Sequence, residues 1–350
     1  MRVKIAQIGN GKAAKFHRQN YPENTQLVAL VVRDLAKNLK SAKGDPTLPK
    51  DIYITDNLQL VTVKFKNLIW DVVSDDETHF DYVTKLIDLD KEAKIILAKT
   101  PYEKMLINNY REILAQHPKV KISVTENYAV SNVSLKIGGL IKKYNLKPKL
   151  VILEFTKNRI KDIEEGRFIH PSLGALGYEG SHILTVLETL GLFLGKVKSA
   201  VFEDLVLSNG RIFKNQGSCL IEGTTDGARL VIYTSMNGKV KYQFPMLGID
   251  SDIGYGAETR FRVVVIQEGE LKIIGQYDPV PGKKRFFGRI LVLKDDKMIE
   301  KIDDIYDNTI KKILAEQICY LAEQGCQNPM AIEATEKFTV LEEIYQKFSN

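Results

Sequence analysis

The sequence predicts an α/β amino-terminal domain followed by an α+β domain with a large, mostly antiparallel sheet. Three observations carry this expectation. Val3 to Asp34 reads as strand, glycine turn, helix and second strand. Apolar runs then alternate with helical periodicity as far as Thr125, the pattern of a parallel sheet with helices on both faces. Beyond Thr125 a helix, a strand and a second helix give way to a series of β-runs. Ser208-Asn209-Gly210, Asp226-Gly227 and Asn237-Gly238 lie between or within those runs, and such pairs turn antiparallel hairpins. The change of pattern predicts domains over residues 1–125 and 126–350.

The opening unit organises the rest. Val3–Ile8 is a short buried strand, and Gly9-Asn10-Gly11-Lys12-Ala13-Ala14 turns the chain into a helix that runs through His17. Leu27–Val32 is the next strand and ends at Arg33-Asp34. This is the length and order that a dinucleotide-binding βαβ unit needs. Gly9 permits the tight turn, Gly11 lets a pyrophosphate approach the backbone, and Ala14 lets the helix pack close on the sheet. The first N–H groups of the helix would face the phosphates. An ordinary strand–helix turn that happens to hold two glycines is the competing account.

A loop at Gly44–Pro49, a short strand over Asp51–Ile54 and a short element near Leu58–Lys64 follow. Leu68–Val73 is a buried strand ending at Ser74-Asp75-Asp76-Glu77-Thr78-His79. The next helix buries Phe80, Val83, Leu86 and Ile87 at helical spacing. Ala93–Ala98 is a strand that delivers Lys99-Thr100-Pro101, a helix covers Tyr102–His117, and Val120–Thr125 is a strand ending at Glu126-Asn127-Tyr128. In parallel sheets, ligands bind beyond the carboxyl ends of the strands. The loops at Gly9–Ala14, Arg33–Asp34, Ser74–His79, Ala98–Pro101 and Glu126–Tyr128 should therefore surround one ligand.

In the second domain, Asn132–Tyr144 reads as a helix and Lys149–Phe155 as a strand. A long polar loop, Thr156–Gly177, leads to a helix that begins near Glu179 and opens with His182. β-runs follow at Val197–Leu207, Ser218–Thr224, Ala228–Ser235, Val240–Phe244, Arg260–Gln267, Leu271–Tyr277 and Arg289–Leu293, as an antiparallel meander. The tail, Ile305–Phe348, reads as mostly helical with a break at Gly325–Pro329.

Composition narrows the function classes. The chain is 44% hydrophobic and 27% charged, an ordinary globular balance, and has no uninterrupted apolar run of membrane-spanning length. The first strand begins at Val3, so no secretion signal is expected. Cys219, Cys319 and Cys326 form no framework or Cys-x-x-Cys pair, which fits a reducing cytoplasm. The net charge of +6 is spread along the chain without a basic block, which argues against a nucleic-acid partner. The five histidines and three cysteines lack metal-ligand spacing, so no metal is expected.

Taken together, the motifs resemble those of the Gfo/Idh/MocA family of NAD(P)-dependent sugar and cyclitol oxidoreductases. Gly9–His17 resembles the family's glycine-rich opening, and Thr78-His79 the end of its Thr-Pro-Asn-x-x-His segment, with Asp75 and Asp76 replacing Pro and Asn. Ala98-Lys99-Thr100-Pro101 resembles the Glu-Lys-Pro segment, with Ala98 replacing Glu and Thr100 inserted. Gly180-Ser181-His182 resembles the Gly-x-His segment. The resemblance covers nearly the whole chain. It implies a Rossmann domain, then a domain with a large open sheet, often paired across that sheet as a homodimer or homotetramer. It also implies that Lys99 and His182 are the active-site lysine and histidine. Where family dehydrogenases often carry Asp four residues before that histidine, this chain has Tyr178, a possible proton donor, with Glu179 beside it.

The expected chemistry is hydride transfer between a nicotinamide and a carbinol or carbonyl of a sugar, sugar phosphate, nucleotide sugar or cyclitol. Lys99 would stabilise charge on the reacting oxygen, and His182 would move the proton. Gly9, Asn10, Gly11, Lys12, Ala13, Ser74, Asp75, Asp76, His79, Ala98, Lys99 and Asn127 would line the cofactor site. At the end of the second strand, Arg33 favours NADP and Asp34 favours NAD; their order tips the expectation towards NADP and leaves NAD open. Lys99, Asn127, Arg159, Arg167, His170, Glu179 and His182 would meet the substrate. The cations of the polar loop, Lys157, Arg159, Lys161 and Arg167, suit an anionic substrate, although Asp162, Glu164 and Glu165 offset much of their charge. Two other readings stay open: a catalytically inactive cofactor-binding sensor, and a reductase of double bonds similar to biliverdin reductase.

Overall fold

A computed structural model describes residues 2–99, 101, 103–166, 173–242, 260–277, 279–280 and 283–349. It divides into two compact units, residues 1–127 with 310–337 and residues 128–309 with 338–350.

The first unit is built from β1 (Val3–Ile8), α1 (Lys12–Arg18), β2 (Thr25–Val31), α2 (Leu35–Lys43), β3 (Tyr53–Thr55), α3 (Leu58–Lys64), β4 (Leu68–Val72), α4 (His79–Leu89), β5 (Lys94–Leu97), α5 (Lys104–Gln116) and β6 (Lys121–Val124). The six strands are all parallel, in the order β3-β2-β1-β4-β5-β6. This is the Rossmann order, whose direction of winding reverses between β1 and β4. Largely apolar strands explain the burial: Ile5, Leu30, Trp70, Ile95 and Val124 are all at most 1% exposed, as a sheet covered on both faces requires.

The second unit holds α6 (Asn132–Lys143), β7 (Leu150–Lys157), α7 (Ile160–Glu164), α8 (Gly174–Thr189), β8 (Val197–Val206), β9 (Ile212–Thr225), β10 (Ala228–Ser235), β11 (Arg260–Glu268), β12 (Leu271–Gln276), β13 (Phe287–Lys294), β14 (Lys297–Tyr306) and, after α9 (Thr309–Leu321), α10 (Thr339–Phe348). Its eight-stranded sheet runs β14-β13-β12-β11-β7-β10-β9-β8. The sheet is mostly antiparallel as expected; the β7–β10 pair is parallel. It is therefore not a simple meander, because β7 enters between β10 and β11. Helix α6 packs on one face, where a side chain at Gly275 or Gly288 would strike Ile137 or Val133. On the other face Phe261, Val263, Val265, Ile274, Leu291 and Leu293 form a buried cluster, with Val240 and Tyr242 packed against it.

Several local expectations are corrected. Helix α8 starts at Gly174 rather than near Glu179, which places His182 inside the helix instead of at its opening. Glycine spacing disguises this helix: a Cβ on Gly174 would lie 2.5 Å from Gln216 Cα, and one on Gly180 would lie 2.9 Å from Leu341 Cδ2. Buried on most sides, the helix shows no polar stripe to read. The polar loop after β7 contains α7. Ile305 lies in β14, a charged edge strand that the sequence hides, and not in the helical tail. In the run Val240–Phe244, residues 240–242 form no strand and the remainder lies outside the described residues. Cys319 and Cys326 are bonded as a disulfide, with Cα atoms 5.7 Å apart, so two of the three expected thiols are paired. Positive φ angles at Glu323 and Gly325 turn the chain back and bring the two together. Cys219 is buried and unpaired. Among the described residues no helix is long and apolar enough to cross a membrane.

Candidate active site

In the first unit the site is built at the carboxyl edge of the parallel sheet. Gly9 follows β1 with φ +106°, and a Cβ there would lie 2.5 Å from the Val73 carbonyl oxygen. Glycine is therefore obligatory at this position on two counts. Gly11 is different: it caps α1 in ordinary extended geometry, φ −75° and ψ −177°. A Cβ at Gly11 would meet nothing within 4 Å. Among the described residues nothing thus calls for glycine at position 11, and the space over its backbone is open to a ligand. Ala14, wholly buried, seats α1 on the sheet.

Beneath the turn lies a buried polar network that sequence reasoning missed. Asp71, wholly buried in β4, lies 3.1 Å from His17 Nδ1, accepts from Gln7 Nε2 at 3.0 Å and accepts from the Tyr21 hydroxyl. Burial opposes its ionisation, but His17, Tyr21 and Gln7 outweigh it and hold the carboxyl below its usual range. Arg18 donates to Gln7 Oε1 (2.5 Å), Asp45 Oδ2 (2.7 Å), Thr47 Oγ1 (2.8 Å) and Asn10 Oδ1 (2.9 Å). The bond to Asn10 anchors the glycine turn from below. An acid in the middle of Leu68-Ile69-Trp70-Asp71-Val72 was the available signal, because a buried charge needs partners.

The remaining loops of this edge carry the other expected groups. Arg33 and Asp34 are exposed after β2, and Arg33 Nη2 reaches Asp75 Oδ2 at 3.0 Å. Lys99, after β5, has Nζ 3.7 Å from Asp76 Oδ2. His79 is buried, with Nε2 3.1 Å from the Ser74 carbonyl oxygen. Burial pulls its imidazole below the usual value despite Asp76. Asn127, beyond β6, keeps a buried Oδ1 with no hydrogen-bond partner.

The second unit gathers its candidates around Glu179 of α8. Glu179 is wholly buried, and its carboxylate accepts from Arg262 Nη2 (2.7 Å) and Arg159 Nη2 (3.3 Å). Burial alone would raise its pKa, but the two guanidinium groups hold it well below the carboxylate range. Arg262 Nη1 donates to the Tyr128 hydroxyl at 2.6 Å. Burial pushes that phenol up to about 12, so it stays protonated. The Tyr128 ring lies 5.2 Å from the His182 ring and 5.3 Å from that of Tyr277. Tyr178 instead stacks under the Arg159 guanidinium, 4.5 Å from the ring centre, and packs beside Leu205, Leu207 and Met236. Arg167 and His170 lie outside the described residues.

No family model and no curated protein matches the sequence, but solved structures match the whole fold. Myo-inositol 2-dehydrogenase from Lactobacillus plantarum superposes with a TM-score of 0.73 at 10% identity, covering 100% of this chain and 98% of its own. The chain has the fold of the Gfo/Idh/MocA-type oxidoreductases. An oxidoreductase of this fold from Agrobacterium radiobacter, in complex with NAD+, L-tartaric acid and magnesium, matches with TM-score 0.68 at 16% identity, covering 100% and 97% of the two chains. A 3-ketoreductase from Actinomadura kijaniata, in complex with TDP-benzene and NADP, matches with TM-score 0.70 at 9% identity over 98% and 96%. The Gfo/Idh/MocA-type fold accounts for both sheets and for the position of the glycine turn.

Two features of the first unit fit a dinucleotide in this fold: the open space over Gly11 and the unpartnered Asn127 Oδ1. Arg260 and Arg262 are further charged residues that the sequence reading passed over. Their signal was Arg260-Phe261-Arg262 at the head of an apolar strand, which puts two cations on one face. Among the described residues no group of three or more His, Cys, Asp or Glu side chains could hold a metal ion.

Proposed function

We propose that this protein is an NAD(P)-dependent oxidoreductase acting on a carbinol or carbonyl of a sugar, sugar phosphate, nucleotide sugar or cyclitol. The observation that carries this reading is Gly11, whose missing side chain leaves open space at the helix start. A pyrophosphate fits there, against the first N–H groups of α1. Arg18, through Asn10, keeps that turn in shape.

When bound, the nicotinamide supplies or accepts the hydride. Everything else falls to the chain. Lys99 donates a hydrogen bond to the reacting oxygen and offsets its developing charge; Asp76 holds the ammonium at that loop. His182 takes the hydroxyl proton in oxidation and returns it in reduction, a role an imidazole can serve near neutral pH. Tyr128, fixed by Arg262, orients the imidazole through ring contact. Tyr178 is the other candidate acid on α8, and its stacking on Arg159 favours His182 for the proton transfer.

Arg33 supports NADP. Its partner Asp75 is as exposed as itself, and such surface pairs are weak enough to yield to a phosphate. Arg33→Ala should weaken NADPH binding and leave NADH binding unchanged. Pairing through the eight-stranded sheet as a homodimer or homotetramer belongs to the same reading, and light scattering of the purified protein checks it. The deciding experiment is a screen of sugars, cyclitols and their phosphate esters with NAD and NADP, followed by absorbance of the reduced cofactor. Turnover of any of them supports the reading. Cofactor binding with no turnover anywhere would make the protein a sensor, and absence of cofactor binding would refute the reading outright.

A further inference from the structure

The second unit concentrates positive charge where β7 ends and β11 begins. In the ladder Arg260 faces Lys157 and Arg262 faces Phe155. The two-residue period of strands puts all four side chains on one face, and Arg159 follows at the end of β7. Among the described residues, Glu179 is shared by Arg159 and Arg262, and Asp162 lies on Lys157.

Arg260 and Arg262 stand out in this group. The Arg260 guanidinium forms no hydrogen bond or ion pair with another described side chain, and burial beside Arg262 brings it down to about 10. Arg262 is 8% exposed, yet its Nε is buried without an acceptor. Leaving a buried charged donor unsatisfied is costly. Glu179 holds Arg159 and Arg262 in place through ion pairs, and acts on Arg260 only through its field, against the larger effects of burial and Arg262. What would satisfy both Arg260 and the spare Arg262 donor is an anion, which a guanidinium fork binds with parallel hydrogen bonds. The cluster adjoins Tyr128, whose ring touches that of His182.

We propose that Arg260 and Arg262 bind an anionic group of the substrate, a phosphate or a carboxylate, beside His182. The inference rests on the oxidoreductase reading and narrows its substrate class to acids and phosphate esters. The polar loop after β7, where the sequence placed the anion-binding residues, then contributes through Arg159 as a buried support.

The test is calorimetric titration of the purified protein with inorganic phosphate and, separately, with malonate. Arg260→Gln removes a guanidinium that forms no hydrogen bond or ion pair with another described side chain and so should leave the fold intact. It should weaken binding of the favoured anion by roughly 10- to 100-fold, the scale of a charge-assisted contact. Arg260→Lys, which keeps the charge and loses the fork, should fall between the two. Binding of phosphate alone assigns the site to phosphate esters, and binding of malonate alone assigns it to carboxylates. Failure of wild type to bind either anion overturns the inference. So does binding that Arg260→Gln leaves unchanged. A phosphate signal that disappears in Gly11→Val and persists in Arg260→Gln belongs to the glycine turn, and it too overturns the inference. NADPH titration separates the two readings: loss of cofactor binding refutes the oxidoreductase reading, while normal cofactor binding without anion binding refutes this one alone.

Discussion

Gly9 and Gly11 stand two residues apart and should fail in opposite ways when substituted. Gly9→Ala demands a φ of +106° from an L-residue and presses its Cβ to 2.5 Å from the Val73 carbonyl oxygen. Such a backbone conformation costs about 1–3 kcal/mol for a non-glycine residue, and the contact forces β1 and the end of β4 apart. A total on the order of 3 kcal/mol lowers the melting temperature of a unit this size by roughly 6–12 °C. Gly11→Val adds a Cβ that meets nothing within 4 Å among the described residues, at a position that needs no unusual φ. Its cost is the poorer helix cap, about 1 kcal/mol at most. Its effect falls on the ligand: a branched side chain over the turn should weaken NADPH binding by at least about 100-fold, or ~2.7 kcal/mol. Circular dichroism melts and quenching of tryptophan or enhancement of reduced-nicotinamide fluorescence measure the two quantities. If Gly11→Val binds NADPH as wild type does, the glycine turn is not the pyrophosphate site. If Gly9→Ala melts with wild type, the close approach of Gly9 to Val73 is wrong.

Three further outcomes are expected. Lys99→Ala and His182→Ala should each reduce turnover by about 10²–10⁴-fold, the usual contribution of an acid–base group, with NADPH affinity near normal; turnover within a few-fold of wild type in both would remove them from the chemistry. Asp71→Ala strands His17 and Tyr21 in the interior and should cost about 3–5 kcal/mol, read from denaturant unfolding; a variant as stable as wild type would show that the network is not structural. Glu154 is wholly buried and accepts from the backbone N–H groups of Lys241 (2.6 Å) and Tyr242 (3.0 Å), yet burial raises its carboxyl to about 8. Its folded-state value lies above the unfolded one, so the folded protein holds the extra proton between about pH 4.5 and 8, and stability falls as pH rises through that window. The slope is at most about 1.4 kcal/mol per pH unit, and Glu154→Gln should flatten it; an unchanged slope assigns the pH dependence elsewhere.

The fold was legible where local chemistry and global packing agree. Six parallel strands could be read because strands covered on both faces must be continuously apolar, as Leu68–Val72 and Lys94–Leu97 nearly are. The hairpin at Asp226-Gly227 could be read because both residues adopt positive φ there, 44° and 83°, which the Asp-Gly pair favours. Legibility failed where a residue serves a distant partner. Gly174 and Gly180 look like helix breakers and are instead the contact points of α8 with β9 and α10. Charged β14 looks like tail because an edge strand exposes most of its side chains. The parallel insertion of β7 beside β10 is a choice of long-range partner, and no turn between neighbouring strands encodes it.

The candidate site shows the same limit at the scale of one helical turn. Helix geometry rotates successive side chains by 100°. Tyr178, four residues before His182, therefore lies about 40° to one side of it, and Glu179, three before, about 60° to the other. Sequence reading treated the neighbours Tyr178 and Glu179 as alternatives for one vacant acid. In the folded chain they answer to different surroundings: Tyr178 packs with Leu205, Leu207 and Met236 under Arg159, while Glu179 turns into the sheet to meet Arg262. An acid clamped by two guanidinium groups, and held ionised far below neutral pH by them, has no proton to give and little basicity to take one. Glu179 is thus suited to fix arginines, and its position on α8 makes sense once Arg260 and Arg262 are seen on the facing strand. The departure from the Asp–His pattern then reads as a change in what the second unit must hold: the acid serves a cationic cluster, and in the proposed mechanism proton transfer falls to His182.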